Sequence, residues 1–382
     1  MIEDNRALAF ICLCMVIGIL LIGLWPFDFF PKNDVWWLKE KNGLHFHGSE
    51  ISTRFSAGGV ALSPKPLTLP TQSLPRKGSV SMEIWARPAV ESGGCRYHIV
   101  TFCDDSKNEI LFVGQWKSYL LVRWLVAGAR SGKRYKEIGV DGALHTGKKR
   151  FVTITSNNKE TAIYLEGKLV KHFSDVCLLK ESGSIGGRSI LLGNSPEAKY
   201  SWAGDLFGLA IYDYVLTEGQ ALKSFQGWLQ SSSPPLLDQD GTIALYTFKE
   251  GSGRWAHSAV GSTNSLLIPP YLQFKKSILV LPDISRENET SYIFDAIINV
   301  IGFIPFGFFL FLWLNNARQW TPSRSYLVAI ILGVVVSLTI ELLQIYLPTR
   351  VSSLTDLICN SMGTILGVIG SHFFLLYSFK KS

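Results

Sequence analysis

The sequence predicts a mixed fold, membrane and all-β: four transmembrane α-helices and an exported antiparallel β-sandwich. Three observations predict it. The 382 residues are 47% hydrophobic and only 18% charged, whereas about a quarter of an ordinary soluble domain is charged. The apolar excess is gathered at the two ends of the chain. The long middle is a succession of short alternating runs separated by turn residues, the pattern of a sandwich. Basic residues outnumber acidic ones by 37 to 30, for a net charge of +7, with no long basic run. No nucleic-acid partner is therefore expected.

The first element is the run Ala7 to Phe27, ALAFICLCMVIGILLIGLWPF, which carries no charge. About twenty such residues cross a hydrocarbon core. A cleaved signal peptide is the rival, but the run is long, no A-x-A-like site follows, and Glu3 and Asp4 precede it. A retained helix is expected.

The exported segment comes next. Its strand candidates are SVSMEIWARP (Ser79 to Pro88), HIVTFC (His98 to Cys103), EILFVG, SYLLVRWLV, RFVTITS, TAIYLEGKLV and SILLGN. One amphipathic helix is expected over Leu216 to Leu229, and SSSPP (Ser231 to Pro235) reads as a linker. The predicted divisions are 1–30 for the first helix, 31–43 for a linker, and 44–230 for the sandwich. A linker with accessory strands fills 231–292, and a three-helix membrane segment fills 293–382.

The last three spans are Ile293 to Leu314, Tyr326 to Leu347 and Leu354 to Tyr377. Trp25, Trp313, Trp320, Tyr326, Tyr346 and Tyr377 stand near span ends, where amphipathic rings favour the interface. Arg6, Arg318, Arg324, Lys380 and Lys381 flank the spans on one side, and Arg350 alone on the other. This bias predicts a multi-pass protein of the cell membrane with both termini cytoplasmic and the sandwich outside.

The runs FVTITSNNKETAIYLEGKLV, SILLGNSP and SWAGDLFGLAIYDYVLTE resemble the concanavalin A-like, laminin G-like jelly roll. In that pattern Gly167 permits a tight turn, Gly204 lets the backbone pass close to a neighbouring sheet, and Tyr212 and Leu216 fill the core. IALYTFKE (Ile243 to Glu250) resembles a strand that usually opens such domains, so it is either permuted or a separate annex. The resemblance implies a module that binds a glycan or an envelope protein. The glycosidases of the fold carry an E-x-D-x-x-E run, which is missing; Glu83 stands alone. No G-x-S-x-G elbow or metal-type histidine spacing is present, so an enzyme is not expected. No cofactor is evident. Asp104, Asp105 and Asn108 offer oxygen ligands for calcium in one loop, against the plainer reading of a solvated turn. Trp116 and Trp124 are candidates for stacking on sugars, against a role in the core. Cys95 and Cys103 bracket an expected hairpin and form a candidate disulfide, leaving Cys177 odd. Cys12, Cys14 and Cys359 fall in spans as apolar filler. The sequon at Asn288 is expected to be a chance match.

The membrane segment carries polar groups that cost about 2.5–3.5 kcal/mol each at a helix centre when ionised. Asp295 and Asn299 share a helix face that Gly302 continues; Glu341 and Gln344 share another; Asp356, Asn360, Gly363 and Gly367 form one stripe. Alternating span direction puts these groups, with Asp28 and Arg350, at one level near the outer face. NVIGFIPFGFFLF and IELLQIYLPTRVSSLTDLICNSMGTILG resemble the VanZ-like membrane family, through Asn299, Phe303, Pro305, Gly307, Glu341, Gln344, Arg350, Asp356, Asn360, Gly363 and Gly367. The resemblance implies a bacterial envelope protein, with the sandwich inserted in the first external loop; the founding member is linked to glycopeptide resistance. The expected partner of the polar cluster is a membrane lipid or a lipid-linked envelope precursor, with Arg350 meeting phosphate. Two alternatives stand beside it: a scaffold whose polar groups only hold the helices together, and a membrane enzyme acting on lipid-linked substrates.

Overall fold

The computed structural model describes residues 2–48, 58–69, 78–91, 94–126, 134–179, 183–231, 241–272, 278–281, 289–318, 320–347 and 350–379. The linker over Ser231 to Pro235 (beyond Ser231), the sequon at Asn288, and Lys380 and Lys381 lie outside the described residues. Helix α1 spans Ile2–Gly23. The strands follow: β1 (Val35–Trp37), β2 (Leu44–Phe46), β3 (Ala61–Leu62), β4 (Val80–Pro88), β5 (Tyr97–Cys103), β6 (Glu109–Trp116), β7 (Tyr119–Val126), β8 (Arg134–Val140), β9 (Arg150–Ser156), β10 (Glu160–Leu165), β11 (Lys168–Ser174), β12 (Ser189–Leu192) and β13 (Gly204–Tyr212). Then come α2 (Glu218–Ser231), β14 (Thr242–Tyr246), β15 (Trp255–Ala256), β16 (Leu266–Leu267), α3 (Glu289–Arg318), α4 (Pro322–Gln344) and α5 (Leu354–Phe379). The chain divides into two compact units, Met1–Phe30 with Lys275–Ser382, and Pro31–Phe274.

Among the described residues of the first unit, four helices are long and apolar enough to cross a membrane: Asn5–Gly23, Ile293–Asn316, Pro322–Gln344 and Leu354–Tyr377. Helix α1 ends before Trp25-Pro26, because proline lacks the helical N–H and disfavours helical backbone in the residue before it. Proline also opens α4, where its missing donor costs nothing. Glycines bring α3 and α5 into backbone contact. A Cβ on Gly363 would overlap the Val300 carbonyl oxygen, one on Gly367 that of Ile304, and one on Gly307 that of Thr364. From Val300–Gly363 to Ile304–Gly367 the positions rise together on the two helices, so they run parallel. Asn360 meets Ser337 and Thr364 meets Gly333, which makes α4 antiparallel to α5. Gly302 is not part of this seam, since a Cβ there would meet nothing within 4 Å.

The second unit is a sandwich of two antiparallel sheets, β1-β2-β13-β4-β9-β10-β11 with β14 beside β13, and β15-β16-β3-β12-β5-β6-β7-β8. Its core includes Phe46, Met82, Ile84, Phe102, Leu111, Val122, Ile154, Leu192, Trp202, Leu209, Tyr246 and Phe248. The sandwich is wider than the sequence division of 44–230. Strand β1 falls in the supposed linker and pairs with β2. Strand β14, from IALYTFKE, pairs with the second half of β13, while β2 takes the first half of the same edge. The flanks are needed because β13, buried along its whole length, would otherwise expose an unpaired edge.

Local rules account for the joints. Glu166 and Gly167 both have positive φ, 52° and 77°, as the two-residue turn between β10 and β11 requires. Helix α2 starts with a capping box: Thr217 donates its N–H to Gln220 Oε1 at 2.9 Å, and Gln220 returns its N–H to Thr217 Oγ1 at 3.3 Å. Gly204 does allow a close approach, but to the Arg87 carbonyl on β4 and the Trp202 ring rather than to another sheet.

The Cys95–Cys103 disulfide is not formed. Cys103 is a buried free thiol at the end of β5, and Cys95 precedes the start of that strand. At about 3.3 Å per residue the strand holds them far beyond the roughly 7 Å Cα separation a disulfide tolerates. Burial pushes the Cys103 thiol up to about 12, so it stays protonated.

Candidate functional site

The membrane unit gathers the predicted polar residues at one end of the bundle. Glu341, 1% exposed, lies on the last turn of α4 and accepts the backbone N–H of Ser353 on Oε2 at 2.7 Å. Gln344, three residues on, donates Nε2–H to the Gly23 carbonyl that ends α1, at 2.8 Å. Arg350 reaches the same terminus, donating Nε–H to the Trp25 carbonyl at 3.2 Å and Nη2–H to the Ile22 carbonyl at 3.4 Å. The last carbonyls of a helix have no intrahelical donors and carry partial negative charge, so a guanidinium fits there. Asp28 follows α1, half-buried.

Asp356 sits in the first turn of α5, where the positive helix end favours a carboxylate. It is hydrogen-bonded to the Asn299 side chain and feels the charges of Asp295 and Arg350. Asp295 is exposed, one turn before Asn299 on α3. Asn360, a turn deeper on α5, donates Nδ2–H to Ser337 Oγ at 3.0 Å; its Oδ1 is buried without a partner among the described residues.

Sequence patterning missed the segment at 278–281. Val280 forms a parallel bridge to Ser353. It donates its N–H to the Ser352 carbonyl at 2.9 Å, and its own carbonyl accepts the Leu354 N–H at 3.2 Å. Ser352 Oγ accepts the Leu279 N–H at 3.1 Å and hydrogen-bonds Glu341. The Ser-Ser pair just before α5 was a legible helix-start signal; the short segment that docks on it through one bridge carries no local signal.

In the sandwich, the calcium candidates form a turn. Both Asp104 carboxylate oxygens face Asn108, Oδ1 taking its backbone N–H at 2.8 Å and Oδ2 its Nδ2–H at 3.0 Å. Asp105 is exposed beside them. Trp124, 6% exposed, belongs to the core, whereas Trp116, 44% exposed, has the Lys117 ammonium 5.2 Å from its ring.

Three buried groups have partners that the sequence did not assign: Glu83, noted there only as a lone carboxylate, His98 and Asp205. Glu83 lies beneath α2, where Oε2 accepts from Tyr212 at 2.9 Å, Ser224 at 2.7 Å and Trp228 at 3.2 Å, while Oε1 has no partner among the described residues. Burial raises the Glu83 carboxyl above its ordinary range and outweighs those three donors. His98 is stacked 3.8 Å from Phe112, and burial, with the Arg123 charge second, pushes it down to about 3. Asp205 on β13 accepts from His45 on β2 at 2.6 Å and from Arg87 Nε at 2.8 Å. Burial acts to raise its carboxyl, but the two donors hold it below the usual range.

Comparison with known proteins matches two stretches of the chain to two families. Residues 241–376 match the VanZ/LLP1 family, from β14 through the last three helices. Residues 64–221 match the concanavalin A-like lectin/glucanases superfamily. No curated protein matches the chain. Among solved structures, a Bacteroides ovatus protein with a candidate carbohydrate-binding role is similar at 14% identity and TM-score 0.39, covering 60% of this chain and 58% of its own. A heptameric SAP-like pentraxin from Limulus polyphemus is similar at 16% identity and TM-score 0.33, covering 55% of this chain and 94% of its own. The chain thus spans only 58% of the length of the first of these proteins. The described residues thus combine four helices long and apolar enough to cross a membrane with an antiparallel sandwich, in a chain that is similar to the VanZ/LLP1 family over 241–376 and to the concanavalin A-like lectin/glucanases superfamily over 64–221.

Proposed function

We propose that this protein works in a bacterial cell envelope, with both termini cytoplasmic, a sandwich that binds glycan outside, and a lipid-headgroup site at the polar level of its helices. The observation that carries the membrane half is convergence. Asp295, Asn299, Asp356 and Glu341 come from three helices, yet Asp356 touches or feels each of the others. Interhelical hydrogen bonds are worth about 0.6 kcal/mol on average, a small return for so many carboxylates at one level. A phosphate at Arg350 would compete with the Trp25 and Ile22 carbonyls. The headgroup that suits the remaining acceptors therefore bears an ammonium or hydroxyl donor. The glycan half is supported by the superfamily match of the sandwich.

One set of contacts favours the second reading, structural glue: Gln344, Arg350 and Asn360 all spend donors on neighbouring helices or their ends. Native mass spectrometry of the purified protein decides between them, with wild type beside Asp356→Asn and Asp295→Asn. A lipid retained by wild type and lost from both variants, at unchanged thermal stability, establishes the headgroup site. Equal retention, with Asp356→Asn less stable, leaves the cluster as glue. Resistance to a glycopeptide, measured with and without the protein, tests the link suggested by the VanZ-like family.

A further inference from the structure

We infer that one row of side chains across the outer face of the sandwich, Trp36, His45, Asp205, Arg87 and Lys149, binds an acidic glycan; this rests on the glycan-binding reading above and names its site and ligand class. The row follows from strand register. Trp36 on β1 opposes His45 on β2, His45 opposes Asp205 on β13, and Asp205 opposes Arg87 on β4. On β9, Arg150 opposes Ala86, which brings Lys149 level with Arg87. Directly opposed residues project from the same face. That face is the one away from the core, because Phe46 and Ala86, next along their strands, are core residues.

The row is pre-organised. Asp205 is 4% exposed and engages His45 through one oxygen and Arg87 through the other. Its charge is therefore spent internally, in fixing an imidazole and a guanidinium at the surface. The Arg87 side chain is 38% exposed, and a guanidinium matches carboxylate or phosphate oxygens in fixed geometry. Trp36 is 47% exposed and stacks on His45 at 4.4 Å and 26°. This leaves an indole face with a negative quadrupole toward the C–H groups of a sugar ring. His47 lies 5.8 Å from the same indole.

Cations crowd the other end. Lys149 stands 4.2 Å above the Phe207 ring, and Arg87 lies 5.7 Å from that ring. Partial burial, then the charges of Lys41 and Arg87, hold the Lys149 ammonium below its ordinary range. A bound anion would relieve that repulsion. Helix α2 covers the neighbouring part of the face, where Trp228 packs on Trp85 and Phe151. The row lies on the part of that face that α2 does not cover.

The test uses the full chain in nanodiscs and three probes: polygalacturonate for carboxylate, poly(glycerol phosphate) for phosphate, and dextran as the neutral control. Trp36→Ala and Lys149→Glu are exposed changes outside the core, and Lys171→Glu on β11 is the control charge reversal; thermal melts confirm that all are folded. The expected result is binding to at least one acidic polymer and not to dextran, weakened at least tenfold by Trp36→Ala and by Lys149→Glu but not by Lys171→Glu. Which polymer binds tells carboxylate from phosphate. Acidic-polymer binding untouched by both row variants, or binding to dextran alone, overturns the site while the glycan-binding reading stands. Binding to none of the three overturns both.

Discussion

Glu83 and His98 are buried in the same sandwich and titrate in opposite senses. For Glu83 the folded carboxyl holds its proton to higher pH than the unfolded one. Its contribution is fully present below the ordinary carboxylate range and is lost as pH rises through the folded value. Glu83→Gln should flatten that part of the stability profile in thermal melts across pH, since the amide stays neutral. Glu83→Ala should cost about 1–3 kcal/mol, because Tyr212, Ser224 and Trp228 lose their acceptor. His98, held near 3, stays neutral when folded, whereas the unfolded imidazole takes a proton below about 6.5. Stability tied to His98 is therefore lost as pH falls from about 6.5 toward 3, and His98→Asn should remove that loss.

At the scale of elements, glycines decide how α3 and α5 meet. Gly367→Leu should break the seam, because its side chain would displace the Ile304 backbone rather than a flexible side chain. Gly302→Ala should be neutral or slightly stabilising, since the added methyl meets open space and alanine favours helix. Size-exclusion profiles in detergent with melting temperatures separate the two outcomes. Trp228 is the fully buried anchor of helix α2, with Phe225 packed beside it on Phe151, and Trp228→Ala should cost about 3–5 kcal/mol and loosen the helix.

For the whole molecule, the boundaries make a direct prediction. A secreted fragment covering 31–274 should fold and melt cooperatively, while 44–230 should aggregate. The shorter piece lacks β1 and β14, and with them Tyr246 and Phe248, both buried in the core. Asn264 adds a tie, donating Nδ2–H to the Ile243 carbonyl at 2.7 Å and to the Thr68 carbonyl at 2.9 Å. Circular dichroism and melting curves of the two fragments check this.

Much of this was legible in the chain. Four apolar runs, the alternation in strands such as β4 and β9, the turn at Gly167 and the amphipathic period of α2 are local signals, each set by side-chain period or backbone preference over a few residues. Even the shared level of Asp295, Glu341 and Asp356 followed from counting span directions. Short strands such as β1, β3, β15 and β16 were not legible, because two or three residues carry no period and form only where a partner edge awaits them. Nor could spacing show that Cys95 and Cys103 flank one strand, that Arg350 reaches the end of α1, or that Trp36, His45, Asp205 and Arg87 align across four strands. The sequence by itself determined where the chain is apolar, alternating or turning, since those are properties of neighbours. Only the tertiary structure decided which polar groups meet, because register between strands and helices far apart in the chain brings them within hydrogen-bonding reach.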